Sequence, residues 1–202
     1  MGVLLIVIYL AFISLGLPDS LLGSAWPSIH PLIHTPVSYS GYIFMIISFG
    51  TIVSSLNADK LIRKFSTGII TAVSTLVTAV ALSGFSFSRS FLSLCLWAVP
   101  YGLGAGAIDA ALNNYVALHY ASRHMSWLHC MWGIGASIGP YIMSYALAGK
   151  TGDYSSGYRI VSVIQLILAV FLFLSLPLWK KGENPEEKKN RSLSLREIVQ
   201  IK

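Results

Sequence analysis

Charged side chains are scarce in this sequence: Asp, Glu, Lys and Arg together make up 11% of its 202 residues. A soluble domain is about one-quarter charged, because its surface needs groups that water solvates well. Apolar residues reach 54%. They form runs long enough to cross a bilayer at about 1.5 Å per helical residue. The composition therefore excludes a water-soluble domain and indicates a protein of the lipid bilayer.

Cysteine is also scarce. Cys95 and Cys130 both lie in apolar stretches without metal-ligand spacing. They predict neither a disulfide framework nor a metal site, and no cofactor is expected. Basic residues are concentrated from Lys180 to Lys202, where glutamates are interspersed among them. That pattern is typical of a solvated segment, so no nucleic-acid partner is expected.

The apolar runs predict six transmembrane helices, because isolated strands cannot satisfy their backbone groups in lipid. No Lys or Arg precedes the first run, which favours a retained helix over a secretory signal. The predicted fold is all-α, with a six-helix membrane bundle over residues 1–179 and a charged cytoplasmic tail over 180–202. The predicted spans are Val3–Ile29, Gly41–Leu56, Thr67–Phe87, Phe91–Leu118, Met125–Ala148 and Tyr158–Trp179.

Lys and Arg are distributed unequally between the two sides of the predicted bundle. Eleven lie on the side that carries both termini and three on the other. The positive-inside rule therefore predicts cytoplasmic termini in a plasma membrane of the bacterial inner-membrane type. The tail ends in a capping box, Ser194 to Glu197, followed by a one-sided apolar stripe. This start of an amphipathic helix suggests a chain that stops before its second half.

Only two acids, Asp19 and Asp109, fall inside the predicted spans. Each costs roughly 2.5–3.5 kcal/mol at a helix centre, so such a residue has a partner, a proton or access to water. The two helices run in opposite directions, and the acids lie on either side of the midplane, as a 3+3 inverted repeat would place them. Both are candidates for proton or cation coupling and for solute binding; the alternative is a hydrogen-bonded packing role.

Four further side chains are candidates for solute binding. Asn113 lies one turn from Asp109, and the pair either binds a polyol or satisfies itself. Trp26 lies seven residues after Asp19 and is expected to share its face, although an interfacial anchor is the alternative. His129 and Gln165 are candidates for the cavity, with helix–helix hydrogen bonding as the alternative for each.

Two glycine motifs resemble catalytic or nucleotide-binding signatures in spacing alone. Gly135 to Gly139 matches the Gly-x-Ser-x-Gly string, but a nucleophile elbow needs a preceding strand. An intramembrane serine protease would need a histidine base, and the sixth span has none. No enzyme is therefore predicted. Close helix packing is the simpler role for these glycines, with Pro140 as a bend, and for Gly102 and Gly106.

Three stretches together resemble the major facilitator superfamily, and within it the fucose-permease-like sugar:cation symporters. They are Gly16 to Pro27, Gly102 to Asn114, and Trp127 to Pro140. The loop expected after the second helix is similar to the superfamily signature at Asp59, Lys60, Arg63 and Lys64. It departs from that signature at Ser55 and Ile62. The resemblance covers the family's first six helices.

The resemblance implies cation-coupled uptake of a sugar or similar small polar solute by alternating access, coupled to H⁺ or Na⁺. It implies coupling and sugar-binding roles for Asp19 and Asp109, although the fourth-helix acid of that group is Glu. It also implies a cytoplasmic gate that includes Asp59 and Arg63. A single half lacks the opposing wall of the cavity, so a second six-helix half is expected, in the same or another chain. A non-transporting half, a homodimer and an efflux antiporter remain open.

Overall fold

The computed structural model describes residues 2–149 and 152–180 and is helical throughout its length, apart from short connections. The helices are α1 Val3–Asp19, α2 Leu21–Leu32, α3 Tyr39–Phe65, α4 Thr67–Phe87, α5 Phe91–His119, α6 Arg123–Ala148 and α7 Tyr154–Lys180. Helices α1 and α2 form one continuous apolar segment, so the described residues make six helical rods; that all six cross a membrane stays a prediction. Residues 181–202 lie outside the described residues, and the predicted tail stays a prediction.

The first rod is interrupted at Ser20, the residue between α1 and α2. Pro18 lacks an amide hydrogen and leaves the carbonyl oxygen of Ser14 without its helical donor. The Gln165 side chain of α7 supplies a replacement: its Nε2 donates to Ser14 O at 2.6 Å, and Ser14 Oγ donates to Gln165 Oε1 at 2.7 Å. A neighbouring helix thus completes the backbone hydrogen bonding that the bilayer cannot.

Glycines bring α1 close to α6. A Cβ atom on Gly135 would overlap the carbonyl oxygen of Ile13, and one on Gly16 would overlap that of Trp132. Pro140 leaves the Ala136 carbonyl oxygen without a helical donor, and Ser20 Oγ donates to it at 2.8 Å. The crossing therefore depends on glycine at positions 16 and 135, where no side chain separates the helices, and on one hydrogen bond between the first rod and α6.

A second close crossing joins α3 to α5. Cβ atoms on Gly102 and Gly106 would lie within 2.7 Å of α3 backbone atoms. Serine hydroxyls of α3 add hydrogen bonds to α5 carbonyls, from Ser54 to Leu103 at 2.6 Å and from Ser55 to Gly106 at 3.3 Å.

Gly139 packs in the α1–α6 crossing, where a Cβ would overlap the Leu17 carbonyl oxygen. All four glycines predicted to pack helices thus lie at close crossings.

Several predicted helix ends differ from the structure. The second span was expected to end at Leu56, but α3 continues to Phe65 and only Ser66 separates it from α4. Hydropathy marks where a helix leaves lipid, and a helix can continue into water with a polar surface. Similarly, α7 begins at Tyr154, four residues before the predicted start.

Five of the six rods are long and apolar enough to cross a membrane by length and composition: Val3–Leu32, Tyr39–Phe65, Thr67–Phe87, Phe91–His119 and Tyr154–Trp179. Helix α6 has the length, 26 residues, but falls outside this apolar set. Its exposed surface includes Ser126, His129, Ser137 and Ser144, side chains with little preference for lipid. The fifth predicted span is therefore a helix with an unusually polar face.

Candidate functional site

Asp19 lies at the interruption of the first rod, near its middle, where it is the last residue of α1. Its two carboxylate oxygens bind donors from two other helices. Oδ1 accepts from the Tyr101 hydroxyl of α5 at 2.8 Å, and Oδ2 accepts from Trp132 Nε1 of α6 at 2.8 Å. Tyr101 is buried, whereas Asp19 and Trp132 are exposed. These two side chains and exposed His129, three residues before Trp132 on α6, define the open face of the bundle. The acid is thus both anchored and accessible.

Asp109 is half-buried on α5 and bonded to a neighbour one turn away. Asn113 Nδ2 donates to Asp109 Oδ1 at 3.0 Å. The other amide atom, Asn113 Oδ1, is buried and has no hydrogen-bond partner among the described residues. The pair therefore leaves one buried acceptor unpaired, which a hydroxyl, an ammonium group or a cation could reach only after the surrounding helices move.

His129 of α6 lies close enough to Asp109 for their charges to interact, and Asp109 in turn is close enough to Asp19. The imidazole is exposed and meets the Phe12 ring edge to face, with 6.1 Å between ring centroids. Helices α1, α5 and α6 thus gather two carboxyl groups, one imidazole and the Asn113 amide. Four of the six predicted coupling and binding residues belong to this cluster.

Trp26 and Gln165 lie elsewhere. The Trp26 side chain is 4% exposed, and its Nε1 donates to the Val37 carbonyl oxygen at 2.7 Å. Asp19 is exposed whereas Trp26 is buried, so the two side chains do not share one exposed face as expected. Gln165 is 2% exposed and bonded to Ser14. Solute binding by these two residues stays an untested prediction that this conformation does not favour.

The charged residues expected in a gating loop are helical. Asp59, Lys60, Arg63 and Lys64 lie in the last turns of α3, and all four are exposed. The loop assignment is wrong because α3 continues to Phe65. Within residues 2–149 and 152–180 the ion pair that forms is Arg89 to Asp153, at 3.6 Å on another surface. Contacts of the α3 end with a second half remain a prediction.

Ser137, the central residue of the Gly-x-Ser-x-Gly string, lies inside the continuous helix α6. Its hydroxyl donates to the Gly133 carbonyl oxygen at 2.8 Å. A nucleophile elbow instead holds its serine at a sharp turn between a strand and a helix. The string therefore has the helical setting that its packing role requires.

Sequence reasoning missed Tyr101 and Trp132, the two donors to Asp19. They are separated from it by 82 and 113 residues along the chain. Trp132 lies three residues after His129, so both project from neighbouring parts of one helical face. This spacing is a usable signal once His129 is a candidate. No pattern near Tyr101 indicates that its hydroxyl points towards the first rod.

Six helical rods, of which five are long and apolar enough to cross a membrane, define a multi-pass α-helical membrane protein with ionisable side chains on three of its helices. Such groups are costly in lipid and are retained along solute or ion paths. The chain belongs to the Major Facilitator Superfamily, whose family model matches residues 8–201. It is therefore a membrane transporter, in a family whose members are generally not enzymes. A comparison with curated proteins gave no match.

Proposed function

We propose that this chain forms one six-helix half of a cation-coupled transporter for a small polar solute, most simply a sugar. The observation that supports this most is that Asp19, Asp109 and His129, on three different helices, lie close enough together for their charges to interact. In alternating access, the open face of one half closes against a second half and reopens on the other side. The fucose-permease-like resemblance of the same stretches favours sugar uptake.

Coupling follows from the cost of enclosing charge. Two carboxylates near one another in a low-dielectric interior repel, and each is poorly solvated there. A bound H⁺ or Na⁺ lowers that cost, so the loaded site crosses the closed state more easily than the site without its cation. Asp19 has both oxygens bonded to Tyr101 and Trp132, whereas Asp109 has one oxygen bonded to Asn113. Asp109 is therefore the better candidate for the group that exchanges its cation.

Solute binding is assigned to the same face. Asn113 Oδ1 is a buried acceptor without a partner among the described residues, and Trp132, which donates to Asp19, is 40% exposed. Sugar hydroxyls supply donors to such acceptors, and aromatic faces bind the apolar faces of sugar rings. The side chain of Asp109 is shorter than that of glutamate, so a solute that binds to it must approach α5 closely.

The need for a second half is supported by α3 and α6, the rods with the largest exposed surface. The most hydropathic stretch of α3 is only 22% buried, against 61% for α4. On α6, exposed His129, Ser137 and Tyr141 make a mixed surface that suits protein or water better than lipid. An inverted repeat relates the α1–α6 crossing to the α3–α5 crossing, so both open rods belong to one interface.

The test is transport of candidate sugars into proteoliposomes by a complete transporter, with a proton gradient, a sodium gradient or neither. Uptake that needs one gradient supports coupling to that cation. Asp109→Asn is expected to abolish solute-driven cation movement, because an amide cannot be protonated or carry charge. Asp153→Asn is the control, since Asp153 pairs with Arg89 away from the cluster. Unchanged coupling in Asp109→Asn would contradict the proposal.

A parallel homodimer is the alternative source of the second half, because the two halves of this superfamily are related by an axis along the membrane normal. Reconstitution of the 202-residue chain alone distinguishes the two. Transport by this chain with a dimeric mass in detergent supports the homodimer. A monomer without flux supports a partner half supplied by other sequence.

A further inference from the structure

A small cavity is lined in part by Tyr101, the residue whose hydroxyl donates to Asp19. It holds about 10 Å³, and its polar lining consists of the hydroxyl-bearing side chains of Tyr101 and Tyr158. The remaining lining is apolar and includes Pro18, Leu22 and Phe85. A space of about this volume is the lower limit for one water molecule.

The Tyr158 hydroxyl is an unusual group to find beside such a space. Tyr158 is 2% exposed, and its hydroxyl has no hydrogen-bond partner among the described residues. A buried hydroxyl left unpaired costs roughly 1–3 kcal/mol. Tyr154, one turn earlier on α7, is equally buried, but its hydroxyl donates to the Ser88 carbonyl oxygen at 2.5 Å. The buried Tyr154 hydroxyl thus has a hydrogen-bond partner, whereas Tyr158, equally buried, lines a cavity.

The second polar group of the cavity is already oriented. Tyr101 is 3% exposed and donates its hydrogen to Asp19 Oδ1 at 2.8 Å, so its phenol oxygen can only accept from the cavity side. Phe85 holds both tyrosine rings in place. It stacks on Tyr158 with 5.3 Å between centroids and meets Tyr101 edge to face at 6.3 Å. A single water between the hydroxyls would accept from Tyr158 and donate to Tyr101.

We propose that this cavity binds one structural water that links Tyr158 of α7 through Tyr101 of α5 to Asp19. Each group in the chain donates to the next, and the last donates to the carboxylate. Hydrogen bonds aligned in this way polarise and strengthen one another. Tyr158 is accordingly a positioning residue: it holds the water, which orients the Tyr101 hydroxyl on Asp19.

X-ray hydroxyl-radical footprinting of the 202-residue chain in detergent micelles tests the site, because radicals formed from a bound water modify the side chains around it. Tyr158 is expected to be modified several-fold faster than Tyr154, although both are buried. Equal rates for the two tyrosines would overturn the proposal.

Variants separate water binding from general opening of the bundle. Tyr101→Phe removes one of the two polar partners and is expected to reduce the Tyr158 rate to that of Tyr154. Tyr154→Phe, the control, is expected to leave the Tyr158 rate unchanged. A Tyr158 rate that stays high in Tyr101→Phe would overturn the assigned chain. A role of this bound water in transport rests on the proposed function, but the labelling result does not. The water site and the transport function can therefore fail independently of each other.

Discussion

Replacing Gly135 by alanine tests whether the α1–α6 crossing is as tight as its backbone contacts indicate. The added Cβ would overlap the Ile13 carbonyl oxygen and lie 2.9 Å from its carbon and 3.0 Å from the Leu17 nitrogen. All three are backbone atoms, so no side-chain rotation relieves the overlap. Helix α6 must instead move away from α1.

The magnitude follows from two opposing terms. Overpacking in a close-packed site costs about 1–3 kcal/mol. Alanine offsets part of this cost, since it favours helix over glycine by roughly 0.5–1 kcal/mol. Gly133, two residues earlier, supplies the matched control: a Cβ there has no atom within 4 Å, so Gly133→Ala keeps only the favourable term. The difference between the two variants is then the overpacking cost, about 5- to 150-fold in the unfolding equilibrium constant.

Reversible unfolding by SDS in mixed micelles, followed by near-UV circular dichroism, measures this difference. Gly135→Ala is expected to unfold at lower SDS than wild type or Gly133→Ala. Tryptophan fluorescence is a second readout, because movement of α6 carries Trp132 away from Asp19. A Gly135→Ala variant as stable as Gly133→Ala would refute the tight crossing.

Three further substitutions test other parts of the fold. Ser66 has φ +67° and ψ 155°, a region nearly restricted to glycine, so Ser66→Gly is expected to raise the free energy of SDS unfolding by about 1 kcal/mol; no gain would argue against this backbone geometry. Gln165→Leu removes the donor to the Ser14 carbonyl oxygen and is expected to cost about 1–3 kcal/mol. In a Pro18→Ala background, which restores the helical donor, the same change should cost less in a double-mutant cycle; equal costs would contradict the link. Arg89→Ala breaks an ion pair with 64% of its side chain exposed and is expected to cost less than about 1 kcal/mol, whatever the salt concentration of the unfolding assay.

The rods were predictable because the bilayer leaves few choices. A long apolar run in lipid must satisfy its own backbone, and the helix does so. The same physics explains the misplaced ends. Beyond Leu56 the chain turns polar and leaves the lipid, but the hydrogen bonding that maintains α3 is local and continues to Phe65. Amino-acid composition indicates whether a segment lies in lipid or in water, whereas the position of a helix end depends on capping and on the connection that follows.

The candidate site was predictable only in part. Asp19 and Asp109 stand out from the sequence because charge is costly in lipid. Their neighbours depend on which rods cross and on how each rod is rotated, neither of which local spacing records. Trp26 is the instructive case: seven residues of regular helix would keep it on the face of exposed Asp19, but its side chain is buried and donates to the Val37 carbonyl oxygen, a contact that helical spacing does not predict.

Prolines explain why that interruption is stable and why it lies beside the acid. Pro18 frees the Ser14 carbonyl oxygen and Pro140 frees that of Ala136, and in lipid each would be costly without a donor. Both are satisfied from another rod, by Gln165 and by Ser20. Ser20, which follows Asp19, thus hydrogen-bonds the first rod to α6 at Ala136. Ala136 lies four residues after Trp132, which donates to the Asp19 carboxylate. Movement of α6 along α1 would therefore break or lengthen the hydrogen bond from Trp132 to the Asp19 carboxylate.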